Sequence, residues 1–402
     1  MEHVSALQVL VPNPFHPALL VSAAALAFVV ATYAGYPIAI WLWGVLRPIR
    51  RAPLDSPESC PSMTCVVAAH DEGEALVRKV QNLLDLDYPG HLDIVVADDG
   101  STDGAPARAR ALAPDRVRIA SNPSQMGKPS ALVRAVRIAT GDLLLMCDAR
   151  QVFDRGAARA LARRFRDEKV GAVTGQLRLD GATGPGLYWR YETAIRMAEG
   201  LSGNVTGVTG AIYAIRRDLF PADLPAETIL DDVYVPMRVA LAGRRVAYAE
   251  DAIALDRELD IGREFTRKVR TLAGNYQLMI LMPSLLTPAH PVFSRFFWHK
   301  TARLLCPWAL VAAVASACGA PGVLGEALLT VQLSFYGLAL LGYLRGGRSG
   351  RLASLAHTFV TLNLAALWAL WLFLRRQSRV TWAQTSTLGG ATPFEARGKL
   401  AH

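Results

Sequence analysis

Two kinds of apolar pattern divide the chain. Residues 18–43 are almost wholly apolar and are followed by Arg47, Arg50 and Arg51, a run long enough for the roughly 20 residues of a membrane-spanning helix. The first 17 residues carry no Lys or Arg and no small-residue cleavage site follows, so the run reads as an anchor rather than a secretory signal. The positive-inside rule then puts the N-terminus outside and the chain from residue 52 onwards in the cytosol.

After a Pro/Ser-containing linker at 53–61 the pattern changes. Short β-rich runs at 64–69, 92–97, 117–120, 143–147 and 170–175 alternate with amphipathic, Ala/Arg-rich stretches such as 74–84, 128–139 and 156–166. Parallel strands need crossover connections, so this alternation predicts an α/β domain with a mostly parallel sheet. Residues 276–298 are apolar again but broken by Pro283, Pro288 and Pro291, which suits a helix lying in the membrane interface. Three further span-length runs follow at about 304–324, 327–344 and 352–374. The expected layout is a membrane helix within 1–52, a cytosolic α/β domain at 53–275, an interfacial segment at 276–303, membrane helices at 304–375 and a tail at 376–402. The basic loop 345–351 belongs in the cytosol, but counting crossings from it sends Arg375, Arg376 and Arg379 outward, against the rule.

Charge and cysteine content narrow the partners. The net charge of +9 could serve nucleic acid, but the Lys and Arg residues cluster beside apolar stretches, where anionic lipid head groups attract them. Membrane lipid is the expected partner and nucleic acid is not. The five cysteines have neither paired spacing nor a Cys/His grouping, so they read as reduced thiols rather than a zinc site.

Candidate chemistry sits where the strands are expected to end. His70-Asp71-Glu72 follows the first strand, Asp98-Asp99-Gly100-Ser101 the second and Asp148-Ala149-Arg150 the fourth. Ligands of open α/β sheets bind outside the carboxyl ends of the strands. One strand-end Asp can be only a turn former or a cap; three on one edge point to a site. No Gly-x-Gly-x-x-Gly follows the first strand, which disfavours a dinucleotide-binding dehydrogenase. Lys128 opens a helical run, where a cation and a helix N-terminus both favour a diphosphate.

In this order the motifs Ala68-Ala69-His70-Asp71-Glu72, Asp98-Asp99-Gly100-Ser101-Thr102-Asp103, Gly127-Lys128, Gly141-Asp142 and Asp148-Ala149-Arg150 resemble the nucleotide-binding half of family 2 glycosyltransferases. The resemblance runs over about residues 62–275 and implies a GT-A fold. It implies that Glu72, Asp98 and Asp99 line the base and ribose pocket, where carboxylates accept from imide and hydroxyl groups. Asp148 matches the first acid of the family's Asp-x-Asp metal motif, for Mg²⁺ or Mn²⁺, but Arg150 replaces the second. A weakly held metal and partial replacement of its charge by the guanidinium are both open. Asp231-Asp232 resembles the family's Glu-Asp pair, which implies Asp232 as the base that deprotonates the acceptor hydroxyl and Asp231 as its support. The Gly/Thr-rich segment 203–210 resembles the family's acceptor-site segment and implies Thr209 and Gly210 near the acceptor.

Residues 267–271 stand where the family has Gln-x-x-Arg-Trp. Arg270 matches the Arg that stabilises the diphosphate leaving group, whereas Arg267 replaces the Gln and Thr271 the Trp. The resemblance implies an inverting transfer from a nucleotide-diphosphate sugar, such as a UDP-sugar, to a glycan acceptor at the cytosolic face of a bacterial inner membrane, in surface or extracellular polysaccharide synthesis. Two alternatives stay open: transfer of a single sugar to a lipid or lipid-linked acceptor, and a catalytically inactive membrane scaffold.

Overall fold

A computed structural model describes residues 16–49, 60–180, 187–257, 261–346 and 350–375. Most of the expected linker, the tail at 376–402, Arg50 and Arg51 lie outside the described residues. The described residues form two compact units, one of those up to Ala39 with Arg295–Arg375 and one of those within Ile40–Ser294.

The first apolar run is helical throughout: α1 (Pro17–Val30) passes through a π turn at Ala31–Gly35 into α2 (Tyr36–Leu46). The α/β domain begins with β1 (Met63–Ala69), α3 (Glu74–Leu84), β2 (Leu92–Asp98), α4 (Ala105–Ala111), β3 (Val117–Ser121), α5 (Lys128–Ile138) and β4 (Leu143–Asp148). Every residue of β1 and β2 is buried, as central strands covered on both faces must be. Leu76, Val80 and Leu83 of α3 pack in one core with Cys65 and Val67 of β1 and Leu145 of β4. Each such side chain stabilises the fold by about 1.5–3 kcal/mol when fully buried.

The second half of the sheet departs from the expected alternation. It comprises β5 (Val152–Phe153), α6 (Ala157–Arg164), β6 (Val170–Asp180), α7 (Leu187–Ser202), β7 (Ile212–Arg216), α8 (Asp231–Leu241), β8 (Arg245–Arg257) and α9 (Ile261–Leu281). The eight strands run β3-β2-β1-β4-β7-β6-β8-β5. The pairs β1–β2, β1–β4, β2–β3 and β6–β8 are parallel, whereas β4–β7, β6–β7 and β5–β8 are antiparallel. The sheet is therefore mixed. Two of the antiparallel pairs arise because β7, which follows α7 and the Gly/Thr-rich loop, runs opposite to both its neighbours β4 and β6, and the third joins the two-residue β5 to β8.

Register places the acids. Ala69 pairs with Asp98 and Ala68 with Asp148, so the last residues of β2 and β4 meet on one edge either side of β1. Gly100 holds φ +73°, and a Cβ there would lie 2.6 Å from the carbonyl carbon of Ser124. Only glycine lets the turn after β2 meet that loop so closely.

The membrane unit adds α10 (Phe293–Phe296), which continues through a π turn at Phe297–Thr301 into α11 (Ala302–Cys318), then α12 (Gly322–Arg345) and α13 (Arg351–Leu374). Pro17–Leu46, Phe293–Cys318, Gly322–Arg345 and Arg351–Leu374 are each long and apolar enough to cross a membrane. The Ser22 hydroxyl of α1 donates to the Ala313 carbonyl of α11 at 3.1 Å, which satisfies a polar group where lipid could not.

The stretch 276–298, expected as one interfacial helix, is instead the end of α9, a 3₁₀ turn at Pro283–Leu286 and the start of the helix that runs to Cys318. Proline removes a backbone donor and clashes with the preceding turn, so Pro283, Pro288 and Pro291 interrupt the helix here.

Candidate active site

The carboxyl edge of β1, β2 and β4 carries the first group of expected residues. Asp98 is buried and accepts from the Ser101 amide at 2.9 Å. Asp99 is fully buried and accepts from the Asn122 side chain at 2.8 Å, the Met126 amide at 2.8 Å and the Gly127 amide at 2.9–3.0 Å. Its carboxylate is committed to the loop that leads into α5, so it positions that loop and leaves little for a ribose. The Met126 and Gly127 amides are likewise spent on Asp99; what α5 offers a ligand at its start is the Lys128 ammonium. Before α3, Asp71 has φ +49° and accepts from the Thr102 amide at 2.7 Å, a bond that lowers its carboxyl below the usual range.

Lys128 joins two regions of the sequence. Its Nζ donates to Asp148 Oδ1 at 2.7 Å and lies 3.6 Å from Asp231 Oδ2. Burial pulls the ammonium down, but Asp148 and Asp231 outweigh it, and the group stays charged well above its ordinary range. Two residues beyond Asp148, Arg150 Nε donates to Glu72 Oε2 at 3.3 Å and ties the end of β4 to the turn after β1.

The turn after β4 is held from α3. Lys79, 2% exposed, donates to the Gln151 carbonyl at 2.9 Å with its Nζ 3.0 Å from the centre of the Phe153 ring. Burial brings its pKa down to about 8. One turn along, Asn82 both donates to and accepts from the Phe153 backbone, at 3.0 and 2.8 Å. The helical spacing of Lys79 and Asn82 puts both on the face that grips residues 151–153.

Asp231 and Asp232 open α8. Asp231 is buried, and its Oδ2 has no hydrogen-bond partner among the described residues beyond the ion pair with Lys128. Burial raises Asp232 to about 6; the Asp231 charge adds to this, while Lys128 and Arg196 of α7 oppose it. Gly210 faces the same space, since a Cβ there would lie 3.7 Å from both Asp232 Oδ2 and Lys128 Nζ. Thr209 precedes it with its amide donating to the Thr174 hydroxyl at 3.0 Å. The Tyr213 hydroxyl of β7 is buried without a hydrogen-bond partner among the described residues. Burial, then the charges of Asp231, Asp232 and Asp148, push that phenol well above its ordinary pKa.

Helix α9 supports the lead-in to α8. Gln277 accepts from the Ile229 amide and donates to the Glu227 carbonyl, both at 2.8 Å. A Cβ on Gly274 would lie 2.5 Å from Leu230 Cγ. Arg267, Arg270, Gly274 and Gln277 recur at helical spacing on one face. The Nε of Arg270 is buried without a hydrogen-bond partner among the described residues. No hydrogen bond or ion pair links Arg267 or Arg270 to Lys128, Asp148 or Asp232 among the described residues. Thr271 bonds back to the Arg267 carbonyl at 3.0 Å.

One part of the chain thus brings Glu72, Asp98, Lys128, Asp148, Arg150, Gly210, Asp231 and Asp232 to a single sheet edge and the helix ends beside it. Residues 64–222 match the sequence profile of glycosyl transferase family 2. An N-acetylglucosaminyltransferase of Rhizobium meliloti (strain 1021) is 28% identical over 228 residues, 52% of each chain. The chain belongs to glycosyl transferase family 2. A poly-beta-1,6-N-acetyl-D-glucosamine synthase of Staphylococcus aureus (strain COL) is 23% identical over 266 residues, 62% of this glycosyltransferase and 63% of the relative. The chain spans about half the length of the first curated relatives it matches. Its fold is that of the mannosyltransferase PcManGT from Pyrobaculum calidifontis, solved in complex with GDP-Man and Mn²⁺, with a TM-score of 0.68 and 23% identity over 88% of this chain and 99% of that one.

The donor set of this glycosyltransferase does not fit a resident divalent ion. No group of three or more His, Cys, Asp or Glu suited to a metal occurs among the described residues. Asp148 is already engaged by Lys128, and the second motif position is the guanidinium of Arg150, which has no lone pair to give.

Lys79, Arg196, Tyr213 and Gln277 were not singled out from the sequence. A lysine within the apolar stripe of α3 was the one local signal; the other three act across long separations.

Proposed function

We propose that this family 2 glycosyltransferase transfers a sugar, with inversion, from a nucleotide-diphosphate sugar to the hydroxyl of a glycan acceptor at the cytosolic face of a membrane. The observation that carries this reading is the Lys128 ammonium held between Asp148 and Asp231, with Asp232 and Gly210 beside it. A cation for a diphosphate and a half-buried carboxylate for a hydroxyl then lie side by side.

In this account Asp98 and Glu72 line the base and ribose pocket, Asp99 braces it, and Lys128 meets the diphosphate. Asp148 orients Lys128. Asp232 accepts the proton of the attacking hydroxyl; a base near pKa 6 is mostly ionised at neutral pH and still basic enough to help. Asp231 keeps Lys128 in place and, through its charge, keeps Asp232 basic. Thr209 and Gly210 leave room for the acceptor, and Arg270, with Arg267, closes over the leaving group. Single-base displacement at the anomeric carbon inverts its configuration.

The names of the relatives support an N-acetylhexosamine donor, for which a uridine nucleotide is the first to test, and a polymeric product. The basic residues Arg47 and Arg345 flank apolar helices, which supports the cytosolic side for the α/β domain. A second reading, one sugar added to a lipid-linked acceptor, is favoured by Thr271, which offers no ring for stacking an emerging glycan. Incubating the membrane-reconstituted protein with a panel of nucleotide sugars, measuring nucleoside diphosphate release and sizing the product tests both. A ladder of long products supports the polymer, a single lipid-extractable product the second reading, and no release with any donor contradicts both.

A further inference from the structure

At the donor edge Asp148 and Glu72 each already face a cation. Asp148 is neutralised by Lys128 at 2.7 Å, and the same ammonium faces Asp231 at 3.6 Å. A divalent ion on Asp148 would sit beside that ammonium and be repelled by it. At the position two residues on, where a second carboxylate would share the ion, Arg150 presents a half-exposed guanidinium bonded to Glu72 only through Nε. Its terminal nitrogens make no other hydrogen bond among the described residues.

These two cations suit a diphosphate in complementary ways. An ammonium is a compact charge that can sit between non-bridging oxygens of the two phosphates, and a guanidinium offers paired donors matched to a phosphate. Lys128 is also preset, because Asp99 ties down the Met126 and Gly127 amides just before it, while Asn122, which bonds Asp99, is itself held by Arg134 at 3.1 Å. A divalent ion in such enzymes clamps the phosphate oxygens and offsets the charge that grows on the leaving group. Here two side chains already stand where that charge is needed.

We infer that this glycosyltransferase binds its nucleoside diphosphate without a divalent cation, with Lys128 and Arg150 supplying the positive charge. The inference rests on the donor reading above.

Calorimetric titration of uridine diphosphate and guanosine diphosphate into the full chain in lipid nanodiscs tests it, run in EDTA, in Mg²⁺ and in Mn²⁺. The expected result is binding of at least one nucleotide with affinities in the three conditions within about threefold of one another. Arg150→Asp, which restores two acids at this motif, is expected to weaken binding in EDTA by about tenfold or more and to regain it with Mn²⁺. Arg150→Gln is expected to weaken binding alike in all three conditions; as Arg150 is half-exposed, thermal melting of both variants should match that of the parent. Nucleotide binding by the parent only with Mg²⁺ or Mn²⁺ overturns the metal-free site while leaving the donor reading intact. Absence of binding under every condition overturns the donor reading and this inference with it.

Discussion

The strand-end edge around Asp98, Asp99 and Asp148 and the wall formed by α7, α8 and α9 hold their acids by different means. At the edge each carboxylate is satisfied: Asp99 by three groups of one loop, Asp98 by a turn amide, Asp148 by Lys128. At the wall, Asp231 keeps an oxygen without a hydrogen bond and Asp232 titrates near 6 under burial. An edge of satisfied acids makes a rigid receptor, which suits binding. Incompletely satisfied acids are raised in free energy and poised to take a proton, which suits chemistry.

The comparison is broken first at Asp232. Asp232→Asn keeps the shape and removes the base, so turnover should fall by about 10²–10⁴-fold, the span of general-base effects, while nucleotide affinity stays within about threefold. Equal losses in both would merge edge and wall into one function. Next in size is Lys128→Met, which removes the side chain that faces both Asp148 and Asp231. It should lower nucleoside diphosphate affinity by about 10–100-fold, the worth of a charged hydrogen bond, and titration calorimetry reads it directly.

Gln277→Leu sharpens the comparison from the wall side. Loss of two hydrogen bonds to the 227–230 lead-in should lower kcat by about tenfold, at ~0.5–1.5 kcal/mol each, with the KM for donor unchanged. A change confined to donor KM would instead tie α9 to the edge. The smallest effect is on stability. Asp232 rises from an ordinary 3.8 to about 6 in the folded chain, so the folded state holds more protons between those values. Its contribution is fully present below about pH 4 and is lost as pH rises through 6. Thermal melting of the parent should fall slightly over that window, and Asp232→Asn should flatten the trend.

Legibility in the sequence follows the same division. The edge was readable because a strand, its terminal acid and the following turn are contiguous: β1, β2, β3 and β4 fall within a residue or two of the runs seen at 64–69, 92–97, 117–120 and 143–147. The resemblance that named the family rests on those local motifs. What the alternation could not convey was the antiparallel direction of β7, since the helix and Gly/Thr-rich loop that lead into it read the same in sequence whichever way the strand then runs. Nor could it convey that Asp99 faces the Met126–Gly127 amides, or that Gln277 holds residues 48 and 50 positions upstream. Such partners are chosen by packing across the chain, and side-chain type alone does not specify them. The stretch 276–298 is not one continuous helix for a related reason: its apolar residues resume a helix after the proline break, which a composition window blurs.

The most direct test of the central claim, that the half-buried Asp232 is the base, is the pH dependence of kcat for the parent enzyme with donor and acceptor saturating. The account predicts a single acid limb in which turnover rises with pH and levels off above an apparent pKa of about 6. Turnover that stays flat from about pH 4.5 to 7.5 would contradict it, because a carboxylate base must lose its activity when it is protonated.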